Sequence, residues 1–113
     1  MKVSFDGIGE MTATLPAAES AERGCVVKLD GDGRVCACGD GDSFIGMAVN
    51  IRQGFAGVRL GGLVQVKCSG TVPDCGWAML AADGAGGVKT APAGREYLVL
   101  EADTAAQTIA IRL

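Results

Sequence analysis

Apolar and polar residues alternate at both ends of the chain. Near the N-terminus, Met1, Val3 and Phe5 alternate with polar residues, and TIAIRL at residues 108–113 repeats the pattern. A period of two places every second side chain on one face of an extended strand. Asp-Gly and Gly-Gly pairs interrupt such runs, at the spacing of about 8–12 residues that is typical of sandwiches and barrels. The pattern therefore predicts an all-β fold, either a small β-barrel or a β-sandwich with glycine-rich hairpins.

We interpret the 113 residues as a single β domain with three parts. Residues 1–15 are predicted to form an N-terminal hairpin, residues 16–24 a loop or a short helical turn, and residues 25–113 the main β region. The helical alternative for PAAESAERG depends on its early Pro16 and its late Gly24, because proline favours helix starts and glycine favours helix ends.

The stretch CVVKLDGDGRVCAC predicts a hairpin that pairs residues 25–29 with residues 34–38 around Asp-Gly turns, since Asp-Gly tolerates the backbone angles of tight hairpin turns. A four-residue loop would place Cys25 opposite Cys38. A turn centred on the second Asp-Gly pair would instead place Cys38 opposite Val27. In both registers Cys25, Cys36 and Cys38 share a face with Val27 and Leu29. We expect this to be the preferred buried face, with the thiols acting as small core residues.

A second glycine-rich stretch, GFAGVRLGGLVQVKCSG, raises a question of register. A two-residue turn at Gly61-Gly62 would place apolar side chains on the same face as Gln65 and Lys67. A bulge, a bent strand or a three-residue loop at Gly61–Leu63 avoids this mixing. The apolar positions that then share one face are Ala56, Val58, Leu60, Val64, Val66 and Cys68.

The chain also contains a possible internal repeat, at about residues 24–50 and 76–103. When Asp30 is aligned with Asp83, DGDGRV lies over DGAGGV and Phe44 lies over Tyr97. Each copy reads as a strand, an Asp-Gly hairpin, a strand, a loop ending in glycine and an aromatic-led strand. Two such copies, separated by a glycine-bent strand, predict a pseudo-symmetric barrel or sandwich.

Composition and charge limit the classes of partner that we expect for this chain. The net charge is −3 with a pI of about 4.8, and the chain has no run of basic residues, which argues against a nucleic-acid partner. No apolar stretch approaches the ~20 residues that span a bilayer, so we expect no membrane partner. The N-terminus lacks the apolar segment of a secretion signal. We therefore expect synthesis in a reducing cytoplasm, and the five cysteines cannot all pair within one chain.

Candidate chemistry is sparse. Asp32, Asp40 and Asp42 are the candidate ligands of a weak shared calcium site, although the series from Asp30 lacks the third ligand of an EF-hand loop; the alternative is exposed turn carboxylates. The chain has no histidine, and its cysteines lack the paired spacing of structural zinc sites. Without histidine, a cysteine or serine nucleophile lacks its ordinary base. We expect no enzymatic activity and no cofactor.

Trp77 is the single tryptophan of the chain and has two interpretations. An exposed Trp77 in PDCGWAML would be an interface anchor for a partner protein, because tryptophan is enriched in interface hot spots. A buried Trp77 would fill the core or plug a barrel end among small side chains. We favour the buried plug.

The order of elements from about Gly24 to Leu113 resembles the capsid cement, or head decoration, proteins of tailed bacteriophages and prophages. The matching segments are GCVVKLDGDGRV, GDSFIGMAVN, VRLGGLVQV, GGVKTAPAGREYLVLEAD and TIAIRL. Three features depart from the family pattern: the five cysteines, YLVLE at residues 97–101, where the family tends to repeat Gly-x-Ala, and the N-terminal stretch MKVSFDGIGEMTATL, which has no clear counterpart in the pattern.

The resemblance implies a β-barrel or β-sandwich that binds the outside of an assembled capsid. It further implies a homo-oligomer, often a trimer, with the phage major capsid protein as partner and the capsid surface of the virion as location. The alternative is a small β-sandwich module that binds a ligand, either a carbohydrate or weakly bound calcium.

Overall fold

The fold is all-β, as the alternation predicts. A computed structural model describes residues 10–113, so most of the predicted N-terminal hairpin lies outside the described residues. Residues 10–113 form ten strands and no helix. The strands are β1 (Met11–Pro16), β2 (Val26–Leu29), β3 (Val35–Ala37), β4 (Gly46–Arg52), β5 (Phe55–Gly61), β6 (Leu63–Lys67), β7 (Gly76–Ala82), β8 (Val88–Thr90), β9 (Arg95–Asp103) and β10 (Thr108–Arg112).

The strands form two antiparallel five-stranded sheets that pack together as a small β-sandwich. The first sheet has the order β1-β5-β4-β2-β3, and the second has the order β6-β10-β9-β7-β8. The two orders are equivalent: when five is added to each strand number of the first sheet, the result is the strand order of the second sheet. The predicted repeat is therefore present, and it extends beyond residues 24–50 and 76–103 to the whole of both sheets.

Matching hydrogen bonds support this internal symmetry. Oδ1 of Asp30 accepts the N–H groups of the second and fourth residues after it, at 2.8 and 3.0 Å. Oδ1 of Asp83 accepts the equivalent pair at 2.7 and 3.0 Å. Both sheets also have a bulge at equivalent places, in the pairing of β4 with β5 and of β9 with β10. The first sheet has a further register shift between Met11 and Thr12, where β1 pairs with β5. The two halves thus share their turns and one bulge as well as their strand order.

Each sheet also curls until its two edge strands touch. The N–H of Ala18, after β1, donates to the carbonyl of Val35 in β3, and the N–H of Ser69, after β6, donates to the carbonyl of Val88 in β8, both at 2.8 Å. This curl lets each sheet enclose apolar side chains on one face while its other face stays free to meet a neighbour.

The hairpin of β2 and β3 has a register that neither sequence alternative predicted. Leu29 pairs with Val35, so five residues form the loop. The loop takes five residues because the carboxylate of Asp30 bonds across it to the backbone up to residue 34. The shift of one residue moves Cys36 and Cys38 off the face of Val27, so the predicted shared face is wrong.

The chain passes from the first sheet to the second through a bent strand at Gly62. This glycine is the single residue between β5 and β6 and has a φ of +96°, a conformation that L side chains rarely adopt. Of the three predicted alternatives, the bent strand is therefore confirmed. The six apolar positions predicted to share a face all point inward, but they divide between two core clusters at the bend.

Residues 16–24 form a loop, one of the two predicted alternatives. β1 runs as far as Pro16, and no helix follows it. The N–H of Ala21 donates to the carbonyl of Ala18 at 3.1 Å, which closes a single turn. Ala21 is then only 6% exposed and packs into the core of the first sheet.

Two core clusters lie on opposite sides of the first sheet. The smaller is enclosed by the first sheet itself and includes Val27, Val35 and Val58. The larger fills the curl of the second sheet and also takes Val26 and Phe44 from the first. The order of layers is therefore the small core, the first sheet, the large core, the second sheet and then the outer face of the second sheet.

Candidate functional site

Trp77 lies on that outer face and is 61% exposed, so the favoured prediction of a buried plug is wrong. On β7 the side chains alternate: Ala78 and Leu80 point into the large core, whereas Trp77 and Met79 point outward and Met79 is 40% exposed. The alternation of the strand thus holds Trp77 at the surface of a sheet, where its backbone is fixed by the pairing of β7 with β9.

Trp77 begins a row of four cross-strand neighbours. It pairs with Leu98 on β9, Leu98 pairs with Arg112 on β10, and Arg112 pairs with Leu63 on β6. Leu100, at the bulge of β9, adds a further apolar side chain that is 37% exposed. We call this surface the Trp77 face; it consists of Leu63, Trp77, Met79, Glu96, Leu98, Leu100 and Arg112.

A groove of about 360 Å³ runs beside Trp77, where the two sheets meet. Its walls include the rings of Phe44 and Tyr97, which stack with centroids 4.9 Å apart and an interplanar angle of 11°. The Tyr97 hydroxyl donates to the carbonyl of Phe44 at 3.4 Å, and burial raises the pKa of this phenol. Arg95, Glu96 and Arg112 supply the polar part of the lining.

These charged groups have no ion-pair partner within residues 10–113, since none of Arg95, Glu96 and Arg112 takes part in a salt bridge there. All three are exposed. One carboxylate and two guanidinium groups that lack an ion-pair partner in this part of the chain thus lie beside an exposed tryptophan, available for contact with another molecule.

The three aspartates of the predicted calcium site are not brought together. Asp42 pairs with Lys28 at 2.6 Å, Asp40 pairs with Lys89 at 2.5 Å, and the Asp32 side chain is 83% exposed. The hydrogen bonds from Lys28 and from a backbone N–H lower the pKa of Asp42. No group of three acidic, cysteine or histidine side chains among the described residues could hold a metal ion. Two of the aspartates have lysine partners instead.

The five thiols are free. Cys38 and Cys68 are buried, as expected of small core residues, whereas Cys25 and Cys36 are half-buried and Cys75 is exposed. Burial raises the pKa of the Cys38 thiol to about 11. Cys25 and Cys38 also line a pocket of about 260 Å³, where burial raises the pKa of Cys25 as well.

Sequence reasoning identified Trp77 but missed the residues around it. Leu98, Arg112 and Glu96 lie 19 or more positions further along the chain, and only strand pairing places them beside Trp77. The sequence YLVLE could have indicated this surface, because its consecutive apolar residues place apolar side chains on both faces of this part of β9. Such a run indicates a strand with apolar side chains on both faces.

Among the described residues, no helix is long and apolar enough to cross a membrane. No protein-family model and no curated protein sequence matches the chain.

Proposed function

We propose that this chain is a structural, non-enzymatic protein that attaches as a homo-oligomer to the outside of a phage-type capsid and stabilises the shell. The single observation that carries the proposal is the Trp77 face: an exposed tryptophan surrounded by apolar side chains on a fixed sheet. The order of sequence elements, which resembles capsid decoration proteins, supports the choice of a capsid as the larger partner.

An exposed apolar face costs free energy in water, and this cost is removed when a partner covers the face. Contiguous apolar surface on a small protein marks a site of contact with another protein. At such interfaces, truncation of tryptophan to alanine costs more binding energy than truncation of most other residues. A decoration subunit stabilises its shell by mass action, because it binds the assembled form and not the separated subunits.

The proposal is tested with capsids purified from a lysate of the induced host. We expect the protein to sediment with the capsids and to raise the temperature at which they dissociate. Trp77→Ala is expected to reduce the bound amount about tenfold or more. Leu29→Ala is the matched control, because Leu29 is an apolar side chain, 47% exposed, on the first sheet. A protein that stays in the supernatant with every capsid preparation would contradict the proposal.

A second candidate function, carbohydrate binding, is favoured by the groove beside Trp77. Aromatic rings with nearby charged groups, such as Trp77 and Tyr97 with Arg95 and Glu96, provide both apolar contact and orienting polar groups. Trp77 emission, titrated with a panel of glycans, tests it. A saturable change with one glycan would support carbohydrate binding, and an unchanged spectrum with all of them would remove it.

A further inference from the structure

We propose that the Trp77 face binds the Trp77 face of a second copy of this chain, through a twofold axis. The proposal rests on the proposed role of this face as a protein-contact surface and names its immediate partner. The internal repeat points to this pairing, because Val26 and Met47, on the equivalent face of the first sheet, are packed against the core of the second sheet.

The row that starts at Trp77 has a counterpart in the first sheet. The counterpart runs across β2, β4, β5 and β1, and its neighbouring residues are paired as they are in the second sheet. Its members are Val26, Met47, Arg59 and Thr12. Followed outward from the aligned Arg59 and Arg112, the pairings give them the places of Trp77, Leu98, Arg112 and Leu63. The alignment of Asp30 with Asp83 instead places Val26 over Met79, which lies on the same face as Trp77. Val26 is only 2% exposed and packs, together with Met47, against the core of the second sheet. The first five-stranded unit therefore docks against the second sheet through the β2 and β4 members of this row, whereas Thr12, at the β1 edge, is exposed.

The arginines of the two rows differ in their partners. Arg59 pairs with Glu10, with Nη2 and Oε1 3.5 Å apart, and its Nη1 donates to the carbonyl of Leu63 in the second sheet at 3.4 Å. Arg112, its counterpart, is exposed and has no ion-pair partner among the described residues. A molecule that covers the second row should therefore supply both an apolar surface and a carboxylate.

The Trp77 face itself meets both requirements. Glu96 lies on the same face, opposite Met79 on β7, and it too has no ion-pair partner within residues 10–113. A patch with an apolar centre and one unpaired charge of each sign is complementary to itself, which is the requirement of a twofold interface. In the twofold pair, Glu96 of each copy faces Arg112 of the other, and the two tryptophans lie between these contacts.

The first experiment uses the single tryptophan as a probe, without capsids. As the protein concentration rises, we expect Trp77 emission to shift to shorter wavelength, because the indole leaves water. Analytical ultracentrifugation should show a dimer over the same concentration range. Trp77→Ala should weaken the dimer about tenfold or more, whereas Leu29→Ala on the first sheet should leave its dissociation constant unchanged.

The second experiment exchanges the charges. Glu96→Arg and Arg112→Glu each place like charges opposite one another in a homodimer, so each variant alone should dissociate about tenfold or more readily. An equimolar mixture of the two variants should form a heterodimer, because both contacts then join opposite charges. The double variant Glu96→Arg/Arg112→Glu should also recover the dimer. Recovery on mixing shows that both single variants are folded.

The outcomes separate this inference from the proposed function. A protein that remains monomeric at every concentration, forms a trimer, or shows no recovery on mixing would overturn the twofold pairing. If Trp77 emission then shifted only when capsids were added, capsid attachment would stand and the pairing would fail. If the dimer recovered on mixing but never sedimented with capsids, the twofold pairing would stand and capsid attachment would fail.

Discussion

Single carboxylates fix the loops that define each half of the molecule. Asp30 and Asp83 each bond to two backbone N–H groups of their own turn, and each turn has a glycine with positive φ three residues later: Gly33 at +81° and Gly86 at +93°. The two glycines differ in their surroundings. A Cβ on Gly86 would lie 2.6 Å from Sγ of Cys25, whereas a Cβ on Gly33 would meet nothing within 4 Å.

This difference predicts unequal effects of one substitution at two equivalent positions. Gly33→Ala should cost about 1–2 kcal/mol, the strain of an L residue at positive φ. Gly86→Ala should cost a further ~1–3 kcal/mol, because Cys25 must move. Urea denaturation measures both. In a Cys25→Ala background the further cost at Gly86 should fall, because only the Cβ of residue 25, 3.3 Å from the added Cβ, then remains. A difference of unchanged size would show that the thiol contact is not its cause.

The thiols predict an order of chemical reactivity. A brief pulse of N-ethylmaleimide on dilute, folded protein should label Cys75 first, because this thiol is exposed. Cys38 should stay unlabelled, since it is buried and its pKa of about 11 leaves little thiolate at neutral pH. Peptide mass spectrometry reads the labelled positions. Urea should make the two sites equally reactive, and rapid labelling of Cys38 without urea would contradict the prediction.

At the scale of strands and turns, the sequence carries more information about local pattern than about contacts. Alternation and Asp-Gly pairs predict the β-class, and the aligned Asp30 and Asp83 predict the repeat. The register of β2 with β3 could not be predicted from the sequence. It depends on the hydrogen bond from the N–H of residue 34 to the Asp30 carboxylate, which accompanies a loop of five residues instead of four. The exposure of Trp77 depends on which sheet face a second sheet covers, and the outermost face is not covered by a third sheet within residues 10–113.

The Phe44–Tyr97 stack is a contact between the elements of the two halves, since Phe44 precedes β4 and Tyr97 lies on β9. Phe44 is 2% exposed, so Phe44→Ala should lower the free energy of unfolding by about 3–5 kcal/mol. Tyr97→Phe keeps the ring and loses only a long hydrogen bond, so its cost should stay below ~1 kcal/mol. Thermal or urea unfolding compares them, and equal losses would show that the hydroxyl, not the stacking, joins the sheets.

At the scale of the whole molecule, the two halves are topological copies but do not have independent cores. The large core takes buried Val26, Cys38 and Phe44 from the first half of the chain, with Met47 packed against it, and its other buried residues come from the second half. The small core, enclosed by the first sheet, consists largely of alanine and valine. The first sheet therefore depends on the second for much of its buried apolar area.

Shared burial predicts one cooperative unfolding transition. Trp77 reports on the second sheet, and a Trp77→Phe/Phe55→Trp variant reports on the first, because Phe55 lies on β5 and is 53% exposed. Both probes should give the same urea midpoint once each variant is corrected by its circular dichroism transition. Separate midpoints, with the first sheet melting earlier, would show that the halves unfold as two units.

The one-residue connection at Gly62 has a consequence for regulation. Two units joined so closely meet at an effective concentration on the order of millimolar, whatever the abundance of the protein. A sheet on another molecule must instead meet this one by diffusion, so the fraction of paired molecules depends on the protein concentration. Such a molecule would stay solitary in dilute surroundings and become coupled to its neighbours wherever many copies are crowded side by side on a lattice.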